Sequence, residues 1–129
     1  QIILYQKAAG LSAAGTPADT YFAGNTQFFR IIRDAHPDVP VIFVEDVIFP
    51  HTLFDNAIRE EVTRKNQAQK RLFDKLTAAG EKNIYYIGAE GMIGDDGEAT
   101  VDGIHFTDLG AMRYVEHILP IVRKSLENR

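Results

Sequence analysis

An aspartate and a histidine stand three residues apart in the segment Val101-Asp102-Gly103-Ile104-His105-Phe106-Thr107-Asp108-Leu109-Gly110. At that separation a carboxylate and an imidazole can meet without help from distant elements, and together they can do acid–base work. The histidine takes a proton from a hydroxyl nucleophile and returns it to the leaving group, while the aspartate fixes the ring tautomer and stabilises the imidazolium. Gly103 allows the tight backbone turn that lets Asp102 reach back. Ten aspartates and four histidines in 129 residues give about 0.3 such pairs by chance. What gives this pair weight is its position, directly ahead of an amphipathic final helix. Asp102 and His105 are therefore the candidate catalytic residues.

The elements that must hold the pair are readable from hydropathy. Residues 2–5 form an apolar, partly β-branched run closed by the small and turn-forming residues 8–17, which predicts a buried strand and a loop. From Asn25, a plausible N-cap, Phe28, Phe29, Ile31, Ile32 and Ala35 fall at helical spacing, and His36-Pro37 marks the stop. Residues 41–44 are continuously apolar and mostly β-branched, as in a strand buried on both faces of a parallel sheet, and Glu45 and Asp46 follow at its carboxyl end. After a loop over 47–52, a long helix is predicted over 53–79. Its ends are apolar, its middle over 64–70 is nearly all polar, Arg64, Lys65, Lys70 and Arg71 read as a solvated face, and Gly80 is a suitable stop. Residues 83–87 give a third strand and 88–103 a long loop. The last helix begins near Thr107, with an apolar stripe of Met112, Val115, Leu119, Val122 and Leu126 and an expected kink at Pro120.

Strand and helix alternate three times, the pattern of one α/β domain over residues 1–129: a three-layer α/β/α fold with a parallel sheet and right-handed crossovers. Sites in such sheets lie beyond the carboxyl ends of the strands, here after Tyr5, Val44 and Ile87. Glu45, at the end of the second strand, and His51, in the loop that follows, are thereby candidate substrate contacts.

Composition narrows the function classes. The net charge is −4, and the basic residues Arg64, Lys65, Lys70 and Arg71 are interleaved with Gln and Asn, which argues against nucleic acid as a partner. Without cysteine there is no thiolate metal site, disulfide framework or cysteine nucleophile. No apolar run approaches the roughly 20 residues of a membrane span. No metal site is predicted either: the histidines lack ligand spacing, and Asp95-Asp96-Gly97-Glu98 lacks the alternation of a calcium loop and reads as a turn. The chain opens on a strand-like run without Met, so Gln1 is read as lying inside a longer natural protein. A signal peptide ahead of it would make that protein periplasmic or secreted.

The block Asp102-Gly103-Ile104-His105-Phe106-Thr107-Asp108-Leu109-Gly110 resembles the last conserved block of the SGNH hydrolases, the GDSL-type esterases and lipases, in which a D-x-x-H segment supplies acid and base. The likeness extends to Arg33-Asp34-Ala35-His36-Pro37-Asp38-Val39-Pro40-Val41-Ile42-Phe43-Val44-Glu45 and to Asp95-Asp96-Gly97-Glu98-Ala99-Thr100, covering the chain from about residue 25 onward. The resemblance implies a flavodoxin-like SGNH fold and serine ester hydrolysis without metal or organic cofactor. It also implies small-molecule or carbohydrate ester substrates, since bacterial acylhydrolases of this branch are associated with the latter. The family's nucleophilic serine follows its first strand, and no such block is present. Ser12, in Gly10-Leu11-Ser12-Ala13-Ala14-Gly15, has the wrong flanks, and the strand before it resembles the family's third. The chain thus reads as the C-terminal part of an SGNH domain, without the first strands and the serine.

Two other readings compete. Asp46-Val47-Ile48-Phe49-Pro50 after a buried strand resembles the phosphoacceptor position of a receiver-type signalling module, although Tyr5-Gln6-Lys7 has none of the acids that would hold magnesium there. An inactive, truncated hydrolase fold that acts by binding is the other. Without its first strands the sheet would leave residues 2–5 on an unpaired edge, which recruits other strands. Self-association through that edge is the expected outcome in sedimentation of this 129-residue chain; a monodisperse monomer would exclude it.

Overall fold

Val41, Ile42, Phe43 and Val44 are all essentially inaccessible to solvent, and the rest of the fold is arranged to cover them. The structure, a computed structural model, describes residues 3–6 and 18–127, with side chains from residue 23 onward. Its elements are β1 (Ile3–Gln6), α1 (Ala18–Ala35), β2 (Val41–Val44), a 3₁₀ turn (Pro50–Leu53), α2 (Asn56–Ala78), β3 (Ile84–Ile87) and α3 (Asp108–Glu127). The strands form a parallel sheet in the order β1-β2-β3, with Ile3 and Ile84 flanking Val41 and Gln6 and Ile87 flanking Val44. Among the described residues, β1 and β3 are the sheet's two edges.

Strand residues alternate between faces, and β2 uses both. Val41 and Phe43 pack with Phe29 of α1 and Leu72 of α2, joined by Ile32, Phe73, Leu76, Ile84 and Tyr86. Ile42 and Val44 pack with Val47, Ile87, Met92, Ile93 and Ala99 under Tyr114, Ile118, Ile121 and Val122 of α3. This is the three-layer α/β/α arrangement, with α1 and α2 on one face and α3 on the other. Each fully buried aliphatic or aromatic side chain contributes about 1.5–3 kcal/mol, so the four residues of β2 are the main apolar anchor. Phe43 lies 5.6 Å from the Phe29 ring and 6.0 Å from the Phe73 ring, tying both helices to the strand.

Several helix boundaries and faces differ from the sequence expectation. Helix α1 starts at Ala18, so Asn25 is not its cap; it sits inside the helix, 3% exposed, on the face shared with Phe29 and Ile32. The predicted helix over 53–79 divides into the 3₁₀ turn and α2, because Asp55 caps α2 through Ala57 N–H (2.9 Å) and Ile58 N–H (3.2 Å). On α3, Met112, Val115 and Leu126 are about half exposed. Val122 of the expected stripe packs on the core, but the packed face otherwise runs through Gly110, Tyr114, Ile118, Ile121 and Ser125. The reason is steric: a Cβ on Gly110 would overlap the Ala99 carbonyl, so only glycine lets α3 settle on that loop. The helix continues through Pro120, which is exposed, so the carbonyl left unpaired by the missing N–H can meet water.

The polar middle of α2 is the largest departure. Lys70 and Arg71 are exposed as expected, but Lys65 is buried, and so are the amides Asn66 and Gln69 beside it. Beyond Val44 the β2 backbone leaves the sheet, and its polar groups need partners. Asn66 Oδ1 accepts from Asp46 N–H (2.8 Å), Asn66 Nδ2 donates to the Asp46 carbonyl (2.9 Å), and Gln69 Nε2 donates to the Val44 carbonyl (2.7 Å). These side chains stand in for a neighbouring strand. Asn66→Leu, close in size but unable to bond, leaves two buried backbone groups unsatisfied and is expected to cost at least about 2 kcal/mol, read as a lower urea midpoint; an unchanged midpoint would refute this role.

Candidate active site

The loop that carries Asp102 and His105 is closed at its base by backbone. Thr100 and Phe106 form an antiparallel bridge, Val101 N–H donates to the His105 carbonyl (2.9 Å), and Thr107 N–H donates to the Ala99 carbonyl (3.0 Å). Thr107 then starts α3: its Oγ1 accepts from Gly110 N–H (3.1 Å) and donates to the Glu98 carbonyl (2.9 Å). The D-x-x-H loop and the start of the last helix are thus joined by hydrogen bonds.

Within the loop, Asp102 uses both carboxylate oxygens. Oδ1 accepts from Ile104 N–H (3.0 Å) and His105 N–H (2.8 Å), while Oδ2 lies 2.6 Å from His105 Nδ1. Gly103, at φ +87°, makes the turn in the left-handed region where a side chain would be strained. The His105 backbone N–H first, then its ring and the Ile104 N–H, hold the Asp102 carboxyl well below its ordinary range. An ionised Asp102 accepts a proton-bearing Nδ1 and leaves Nε2 as the basic nitrogen. The Asp102 and His105 side chains are 52% and 77% exposed, so the pair lies open to solvent.

The two candidate substrate contacts lie differently. His51, from the 3₁₀ turn after β2, lies against Gly103: a Cβ there would collide with its ring. The long connection from β2 to α2 and the D-x-x-H loop therefore meet at the glycine between Asp102 and Ile104. Glu45 faces inward. Its Oε2 accepts from Ala89 N–H (2.8 Å) and its Oε1 from the Tyr86 hydroxyl, tying the carboxyl ends of β2 and β3 together. Burial and this carboxylate hold the Tyr86 phenol far above its ordinary value. Ser12 lies outside the described residues. Ser125 is buried in α3 with its hydroxyl donated to the Val122 carbonyl (2.7 Å).

The loop after β3 is pinned to α3 by Arg113, which the sequence reading passed over, and by His117. Arg113 donates to both oxygens of Asp96 (2.7 and 2.6 Å) and to the Ile93 carbonyl (3.0 Å), and this pairing pulls the Asp96 carboxyl down. His117 Nε2 lies 2.8 Å from the Gly88 carbonyl and therefore donates to it.

The profile of the GDSL-like Lipase/Acylhydrolase family matches residues 21–123. The chain belongs to that family. A crystal structure described as a GDSL-like lipase from Bacteroides ovatus ATCC 8483 superposes with a TM-score of 0.79 at 31% identity, over 90% of this chain. The GDSL-like chain spans about a third of that protein's length, 35%. No match occurs among curated proteins. Family membership sets aside the receiver reading of Asp46. Among the described residues, no helix is long and apolar enough to cross a membrane.

What sequence reading of this GDSL-like chain missed was a set of polar side chains on packed faces, Asn66 and Gln69 above all. The signal was present: Val62, Asn66, Gln69, Leu72 and Leu76 step by four, three, three and four, so the two amides occupy the apolar stripe itself.

The lowered Asp102 carboxyl sets a pH window. Because its folded value lies below the ordinary 3.8, the stabilisation it gives the loop is fully present above that value and is lost as pH falls through the lowered one. A carboxyl-carbon NMR titration is expected to place Asp102 below the ordinary aspartate range. His105→Ala should move it part of the way back, since the two backbone donors remain; an ordinary value in the unsubstituted protein would refute the loop geometry.

Proposed function

We propose that the GDSL-like chain carries the acid–base half of a serine carboxylic-ester hydrolase. The observation that supports this most is the 2.6 Å contact between Asp102 Oδ2 and His105 Nδ1, on an exposed loop beyond the carboxyl ends of the strands. His105 Nε2 takes the proton of a serine hydroxyl as that oxygen attacks the ester carbonyl. The imidazolium, held by Asp102, then protonates the departing alcohol oxygen, leaving an acyl-serine. Water repeats the cycle: Nε2 takes its proton, the hydroxide oxygen attacks the acyl carbonyl, and the proton returns to serine.

The nucleophile in this reading is a serine outside the described residues, since Ser125 is committed to the interior of α3. The substrates are small acylated molecules, with acylated carbohydrates foremost, approached through the cleft where the β2 loop and the D-x-x-H loop meet. His51 borders that approach. Glu45 shapes it from below by holding the ends of β2 and β3 together.

The test is a fluorophosphonate serine probe read by intact mass, on the 129-residue chain and on the full natural protein. The full protein is expected to take one adduct, lost in His105→Ala together with a fall in ester turnover of about 10⁴-fold or more. An adduct that persists in His105→Ala would refute the assignment. A full protein that takes none and hydrolyses no ester would identify an inactive fold that acts by binding.

A further inference from the structure

Val101, Asp102, Ile104 and His105 are all exposed, and Gly103 between them is partly covered. The cover comes from another element: Cε1, Nε2 and Cδ2 of His51 are the three atoms nearest to the place where a Gly103 side chain would stand. Three adjoining ring atoms at similar reach mean that a side of the ring lies along the glycine, as packing does, whereas a hydrogen bond would bring one atom forward. Among the described residues, neither ring nitrogen of His51 has a hydrogen-bond partner. The ring also borders a groove of about 510 Å³ lined by Asp46, Phe49, Ile58, Val62 and Ile104.

The turn that carries this ring is braced on every residue. Pro50 opens it with a fixed φ. Thr52, 4% exposed, binds the Phe49 carbonyl through its N–H (2.9 Å) and its hydroxyl (2.8 Å). The His51 carbonyl accepts from Phe54 N–H (3.1 Å) and Asp55 N–H (2.9 Å), which closes the turn onto the cap of α2. Arg59 completes the brace: its Nε donates to the Thr52 carbonyl (2.7 Å) and its Nη2 to the Leu53 carbonyl (3.3 Å). A cation near the start of a helix stands against the helix dipole, and Arg59 has no ion pair among the described residues. Its guanidinium is committed to the turn.

We infer that His51 is a positioning residue: its ring backs the Gly103 turn, and Arg59, by bracing the turn that carries the ring, sets where Asp102 and His105 stand. The bonds inside the D-x-x-H loop fix the pair's internal geometry, but a glycine at positive φ is its freest joint. A shift of about 1 Å in a reacting group can cost on the order of 10²-fold in rate, so that joint needs a backing. The inference rests on the hydrolase reading for its effect on turnover; the order of the loop does not.

The experiment uses the full natural protein with p-nitrophenyl butyrate as ester. His51→Ala is expected to lower kcat at least tenfold with KM held within twofold, and His51→Phe, a flat ring without nitrogens, to recover most of that loss. Hydrogen–deuterium exchange is read in parallel on the peptide over residues 101–106, where the Ile104 and His105 amides bond to Asp102. It is expected to quicken at least tenfold in His51→Ala and in Arg59→Met, which keeps the stem and loses the donors, while the peptide over β2 is unchanged. Should His51→Ala loosen β2 as well, the same comparison in Arg59→Met decides. A raised KM with kcat kept, a His51→Phe as poor as His51→Ala, or unchanged exchange over 101–106 overturns the positioning role. Quickened exchange in a protein that hydrolyses no ester before substitution would sink the hydrolase reading and leave His51 as the backing of the loop.

Discussion

A parallel strand buried on both faces cannot simply stop, because the polar groups of its backbone must be satisfied where the sheet ends. In this protein the strand is β2, and Asn66 and Gln69 of α2 meet that constraint. The rest of the structure depends on the arrangement. It fixes where the chain leaves the sheet, and hence the course of the loop that carries His51 to Gly103 and brings Asp46 to the groove. It also orients α2, whose apolar ends could pack in several ways but whose amides fit only one register against β2. Buried polar side chains of this kind give up little stability when fully bonded, yet they penalise every alternative packing that leaves them unpaired.

The D-x-x-H loop follows a different logic. Its order is local: one carboxylate collects two backbone N–H groups and an imidazole within four residues, and a glycine supplies the turn. Such a unit keeps its internal geometry wherever it is placed. Placement comes from two contacts in which the absence of a side chain matters. Gly110 admits the Ala99 carbonyl at the start of α3, and Gly103 admits the ring of His51. One glycine inside the D-x-x-H segment and one just beyond it therefore bear on neighbours that a side chain would displace, so the placement of the loop rests on backbone, while the Asp102 and His105 side chains are largely exposed.

Two carboxylates at the carboxyl end of β2, adjacent in sequence, are satisfied differently by their surroundings. Glu45 turns toward β3 and has a donor on each oxygen, so it acts as a structural tie. Asp46 keeps one oxygen buried and without a donor, while the other accepts from Val47 N–H. The groove beside them adjoins the D-x-x-H loop, because Ile104 of that loop lines it and His51, also in its lining, lies against Gly103.

The sequence by itself determined what depends on near neighbours. The D-x-x-H unit was legible because its bonds span at most three residues, and β2 was legible because a run of four apolar, mostly β-branched residues has few other uses. The alternation of strands and helices, the parallel sheet and the family likeness followed from the same short-range signals. Only the tertiary structure decided which helix faces pack. The stripe of Met112, Val115 and Leu126 is apolar yet half exposed, whereas Gly110 and Ser125 are buried, because the fit of α3 against Ala99 is steric and hydropathy does not encode it. The same holds for residues 64–70, where amides on the apolar stripe are drawn inward by unsatisfied backbone twenty or more residues away. Hydropathy measures what a side chain loses on leaving water, and it is silent about a partner waiting in the interior.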